Sequence, residues 1–366
     1  MLPCLCKRLQ VQSASTLDGE KADHKNSNMS HLSVAMTTTE ETGITDGDVI
    51  TFGASRGIKF YFQLFVVITG VIGTAANGFV LYALVASKQH KKHVLIVNQN
   101  VLDLFSCFSL VTVYSVHLCN VYLTGSTGYW LCMLILSDAL IWWGVHGSII
   151  NLAVISVERY LKVVHPVWSK KNLRRWMIYS AMAFAWIASV VYNLAVVFPT
   201  TIVLDGECYV SVVFTNKSAQ MVHLFWDFLS FYVVIIVVFI FCYGRILVAV
   251  RRQARVMAGH SAAGSSSATQ AQSNQIQSNV IKTMMLVCAF YAISWLPMST
   301  VILLWSFAPH IHQQLDTAYY ISMFLEVLYI CTNPFIYAAK FHPVKQVLIG
   351  MITCKKTTEQ ASGYVP

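Results

Sequence analysis

Long apolar runs alternate with short polar segments along most of this chain. Three runs, 60–86, 176–198 and 283–305, contain no Asp, Glu, Lys or Arg. Four more carry only acids: Asp103 in 94–118, Asp138 in 131–157, Asp227 in 218–244, and Asp316 with Glu326 in 315–339. A helix needs about 20 residues to cross a bilayer. In lipid each backbone must satisfy its own hydrogen bonds, so helices are the expected form. The predicted fold is an all-α membrane protein, a seven-transmembrane helix bundle over 60–340. Beyond it Val344, Val347, Leu348, Met351 and Ile352 repeat at helical spacing after Pro343. That pattern predicts a short amphipathic helix on the membrane surface within 341–366.

Composition agrees. The chain is 56% hydrophobic and 11% charged, against about 25% charged in soluble domains. Its formal charge of +9 is a topology signal. Segments 87–93, 160–175, 245–282 and 338–366 hold 17 Lys and Arg, and the alternate loops hold only Lys217. The basic set is therefore cytoplasmic, with the N-terminus outside and the C-terminus inside. These charges sit at membrane edges, where they meet anionic lipids rather than nucleic acid. Residues 1–59 are polar and read as a disordered outer tail. Asn28-Met29-Ser30 in that tail is a glycosylation sequon. The start, MLPCLCKRLQ, lacks the apolar core of a signal peptide. A low-complexity stretch at 256–279 reads as a flexible cytoplasmic loop. Cys354 is a palmitoylation candidate.

Polar residues inside apolar spans mark function, because lipid rejects them. Asp103, Asp138, His146, Asp227, Glu326 and Asn333 are such residues, and Trp142, Trp143 and Trp226 accompany them. Several spans also carry a short motif. The third ends in Glu158-Arg159-Tyr160. The seventh holds Asn333-Pro334-Phe335-Ile336-Tyr337, and the sixth Trp295-Leu296-Pro297. Asn77 lies in the first, Asn98 and Asp103 in the second, and Trp186 in the fourth. In this order the chain resembles a rhodopsin-like, or class A, G-protein-coupled receptor over about 60–356.

The resemblance implies roles. Glu158 holds Arg159 at rest, and on activation Arg159 turns toward the bundle and a heterotrimeric G protein. Pro297 kinks the sixth helix into a lever above Trp295. Tyr243 and Tyr337, with Tyr160, Tyr291 and Pro334, belong to the same switch. Asp103, Ser148 and Asn333 would line an inner water pocket able to take a sodium ion. A Cys132–Cys208 disulfide would pin the second outer loop, leaving Cys119 without an assigned partner. Plasma-membrane location follows. Receptor kinases and arrestin, acting after phosphorylation of Thr357, Thr358 or loop serines, are further expected partners.

The chain also departs from the family. Cys132 and Arg159 are 27 positions apart, two more than is usual, which predicts a bulge in the outer third helix. Ile235 stands where the fifth helix has a proline. Tyr291 replaces a Phe, Ser294 a Cys, and Gln277 an acid that would lock Arg159. Some ligand-independent signalling is therefore expected. A covalent retinal is excluded by the lack of Lys in 315–339. Ile141 occupies the usual amine-binding Asp position, so Asp138 would serve only if the bulge turns it inward. Asp138, Asp227 and Glu326 suit a cationic ligand, with Trp142, Trp143, His146, Trp226, Trp295 and Tyr319 as further pocket candidates. A short peptide with a basic group is favoured, then a small cationic molecule, then a lipid. A transporter or channel would need a polar path and usually a repeat. No HExxH, GxSxG or P-loop motif points to an enzyme.

Overall fold

The computed structural model describes residues 56–119, 121–210, 217–260, 268–307, 312–340 and 342–352. The outer tail with Asn28, the loop at 261–267, Cys354 and the threonines beyond it lie outside these residues.

Seven helical spans are long and apolar enough to cross a membrane. The first is α1 (Arg56–Ala86) and the second α2 (Val94–Leu118). The third runs through α3 (Gly125–Leu131), a π turn (Cys132–Leu136) and α4 (Ala139–Val164). A short helix, α5 (Pro166–Asn172), leads to the fourth, α6 (Arg175–Thr200). The fifth joins α7 (Lys217–Asp227), a second π turn (Phe228–Val233) and α8 (Val234–His260). The sixth is α9 (Ala268–Phe307), the seventh α10 (His312–Lys340), and α11 (His342–Ile352) follows.

The helix of the sixth span begins at Ala268, inside the stretch expected to be a flexible loop. Its Ala and Gln content tolerates helix, so low complexity alone misplaced the boundary. One addition to the all-α expectation is a hairpin between the fourth and fifth spans. Strands β1 (Thr201–Leu204) and β2 (Glu207–Val210) pair antiparallel across Asp205 and Gly206, both at positive φ. That pair is the turn chemistry a two-residue hairpin requires.

The third span is the hub, packing on the second, fourth and fifth, while the first packs on the second and seventh. The shared core includes Leu84, Ile149, Leu152, Ile155, Tyr291 and Tyr337. Phe184, Ile187, Val191, Val237 and Ile240 face outward, as side chains exposed to lipid would. In α11, Val344 is buried and Val347 packs on the core, while Lys345 stays exposed.

Candidate ligand chambers and signalling switch

The outer third span shows how the two extra residues are absorbed. The Ser137 N–H donates to the Cys132 carbonyl, five residues back, at 2.9 Å, and Asp138 adopts a left-handed conformation at φ 59°. Asp tolerates that region better than most residues. The helix restarts when Ile141 and Trp142 donate to the Asp138 carbonyl. This break turns Asp138 inward, where its carboxylate lies 3.5 Å from His117 Nε2 of the second span. His117 was not singled out from the sequence, although a polar residue so close to a span end was a signal. Above this break Cys132 is disulfide-bonded to Cys208 of β2, and the Leu123 N–H donates to the Gly206 carbonyl at 2.8 Å. The hairpin is thereby held against the third span. Cys119 is also disulfide-bonded, which corrects its expected lack of a partner.

Two small chambers open below the hairpin. One, of about 30 Å³, is lined by Tyr114, Asp138, Ile141, Trp142, Trp295 and Glu326, among others. The second, of about 40 Å³, is lined by Trp142, Asp227, Phe231, Tyr232, Trp295 and Glu326, among others. The Trp142 and Trp295 rings meet edge-on at 6.2 Å, and both rings border both chambers. Glu326 is also common to the two. It is 4% exposed, and its Oε1 is buried without a hydrogen-bond partner. Asp227 accepts the Tyr192 hydroxyl at 2.7 Å.

Four expected pocket residues fall elsewhere. Trp226 is 57% exposed and faces away from the bundle. Trp143 packs between Phe105 and Trp186 at 5.0 and 6.0 Å. His146 stacks on Phe231 at 4.0 Å and pairs with Asn193 at 3.1 Å, so it supports the wall without lining it. Tyr319 lies edge-on to Tyr320 and borders neither chamber.

The inner half holds a continuous polar network. Asp103 accepts from Ser148 Oγ at 2.7 Å, from Gln99 Nε2 at 3.3 Å and from Asn333 Nδ2 at 3.0 Å. Gln99 also donates to Ser148 and accepts from Asn151 at 2.8 Å. The chain continues from Asn98 to Asn151 at 2.9 Å, and from Trp186 to Asn98 at 3.1 Å. Gln99 and Asn151 went unremarked in the sequence, since a lone amide in a span carries no family motif. An internal sodium ion requires oxygen lone pairs. The N–H and O–H donors turned toward Asp103 occupy the place such an ion would take, whereas Asn333 Oδ1 is buried without a hydrogen-bond partner.

At the cytoplasmic end Arg159 Nε lies 2.9 Å from Glu158, which also pairs with Lys162. Glu158 and Arg159 are both buried. Tyr160 meets His165 at 3.1 Å, and Ser156 donates to the Tyr243 hydroxyl at 3.2 Å. Tyr337 is fully buried, with its hydroxyl unpartnered. Beside the pair opens a cavity of about 940 Å³, lined in part by Lys91, Lys92, Lys162, Lys170 and Arg175. Burial, with the nearby charges of Arg159, Lys92 and Lys162, pushes the adjoining His93 down to about 3. Tyr291, fully buried, donates to the Phe231 carbonyl inside the fifth span's π turn, and Tyr232 donates to the Ala292 carbonyl at 3.2 Å. The fifth and sixth spans are thus tied twice, without the family's proline.

The sequence profile of the 7 transmembrane receptor (rhodopsin family) matches residues 76–337. The chain is 25% identical to the rhodopsin of Todarodes pacificus over 81% of its own length and 68% of the relative's. It is similarly 25% identical to the rhodopsin of Sepia officinalis, of which it spans 55%. It is 28% identical to trace amine-associated receptor 6 of Rattus norvegicus over 57% of this chain and 62% of that protein. The crystal structure of squid rhodopsin superposes with a TM-score of 0.65 at 18% identity, covering 86% of this chain and 93% of that one. That last likeness establishes the fold.

Proposed function

Because the chain belongs to the rhodopsin family of seven-transmembrane receptors, we propose that it binds an extracellular cationic ligand and drives nucleotide exchange on a heterotrimeric G protein. As a member of a receptor family it is not an enzyme. The observation that carries the ligand reading is Glu326, a buried carboxylate with an unpartnered oxygen beside two cavities. A buried acid in such a setting wants a cation. A peptide with a basic group was the first expectation. Chambers of about 30 and 40 Å³ favour a small cationic head instead. A retinal Schiff base has no amine here, because 315–339 contains no Lys.

The output side rests on Glu158 and Arg159 at the mouth of the basic cavity. That cavity suits an acidic partner surface and anionic inner-leaflet lipids. Plasma-membrane placement with the N-terminus outside follows from the Lys and Arg asymmetry. Receptor kinases and arrestin complete the proposal as regulators. The deciding experiment expresses the full chain with a panel of G-protein dissociation sensors. Arg159→Ala at matched surface level is expected to abolish both basal and ligand-evoked signals. A signal of undiminished size in that variant would overturn the coupling mechanism.

A further inference from the structure

The chambers are paired, and so are the charges around them. Both are small beside the cavity of about 940 Å³ at the other end of the third span, and an ammonium is the most compact cationic head that could enter them. Asp138 belongs to the first chamber, Asp227 to the second, and Glu326 to both. Each chamber thus carries an aspartate of its own, with Asp138 3.5 Å from His117 Nε2 and Asp227 accepting the Tyr192 hydroxyl. The aromatic faces of Trp142 and Trp295 border both chambers, and that of Phe231 the second. Such faces attract cations and tolerate methylene groups.

We propose that the ligand is a linear diamine, with one ammonium in each chamber and an unbranched chain crossing beside Glu326. This rests on the cationic reading of the chambers and adds the second charge and the lack of branching. One ammonium faces Asp138 and the other Asp227, so each chamber's aspartate gains a cation. A monoamine fills one chamber and leaves Asp227 or Asp138 without a cation.

The test uses the full chain in cells carrying the G-protein sensors. A homologous series of linear diamines, from propane to octane, is compared with n-alkylamines of the same lengths. Purified receptor is melted with the same compounds, which reads binding without any G protein. The expected result is a potency optimum at one diamine length, about thirtyfold or more better than the matched monoamine. Asp227→Asn is expected to cost the diamine more potency than the monoamine, which can still take the Asp138 chamber. Glu326→Gln is expected to weaken both. Equal potency of monoamines and diamines at every length would overturn the proposal. So would an equal loss for both compounds in Asp227→Asn, or the absence of any diamine-induced rise in melting temperature. A melting shift without a sensor signal would uphold the diamine site and count against the coupling reading alone.

Discussion

Asp103 and Glu326 are carboxyls in the same bundle, 2% and 4% exposed, and their surroundings are opposites. Asp103 sits in the inner half with Ser148, Gln99 and Asn333 donating to its two oxygens. Glu326 sits in the outer half, against tryptophan rings, with one oxygen unpartnered. The inner acid is a completed structural knot. The outer acid is an incomplete one, and an incomplete polar group persists where function needs it. The same residue class, at the same depth of burial, thus divides into scaffold and receptor site by its neighbours alone.

The sharpest way to break this contrast is to give both acids the same substitution. Asp103→Leu removes the acceptor shared by three donors from three spans, leaving the Ser148 hydroxyl and the Asn333 amide N–H buried without it. Each orphaned group costs about 1–3 kcal/mol, so a loss of about 3 kcal/mol or more is expected in the stability of the purified receptor. Glu326→Leu deletes a carboxylate that lacks a full set of partners. Its expected effect is neutral or a gain of about 1 kcal/mol, with loss of the cationic ligand. Denaturation curves on the two proteins decide the matter, and equal destabilisation would erase the distinction.

Legibility in the sequence followed a similar division. The seven spans, the acids and the switch motifs are visible because charge in an apolar run is costly and therefore rare. The facing of individual rings is not. Trp226 and Trp142 look alike in sequence, yet one faces outward and the other borders both chambers. Tryptophan suits both the membrane interface and a packed interior, so its type alone does not say which way it faces. Asp138 was legible as an acid in an apolar run and the break beside it as a spacing anomaly, but the left-handed turn that brings it to His117 of the second span was not. Gln99 carried no signal until Asn151 and Ser148 were brought to it by the third span. The hairpin had one, the Asp205-Gly206 turn between short extended runs, and it was overlooked.

A smaller effect tests the boundary between the two halves. Tyr291 reaches from the sixth span to the Phe231 carbonyl inside the fifth span's π turn. Tyr291→Phe keeps the ring and removes the hydroxyl. The expected cost is about 1 kcal/mol of stability, together with a higher basal G-protein signal as the sixth span is freed from the fifth. An unchanged basal signal at matched surface level would show that this tie does not restrain the switch.

The smallest expected effect is a null one, and it bears on the inner acid directly. Because Gln99 points an N–H at Asp103 and Ser148 turns its hydroxyl the same way, a cation approaching the carboxylate meets hydrogens of its own sign. Replacing sodium by a bulky organic cation should therefore leave agonist affinity in membranes unshifted. Gln99→Leu sharpens the result, since it removes the competing donor and vacates space beside Asp103. Sodium sensitivity appearing only in that variant would assign the amide the place an ion would otherwise take. Sodium sensitivity in the native chain would mean instead that Gln99 swings away readily, and that the inner network is less complete than its hydrogen bonds indicate.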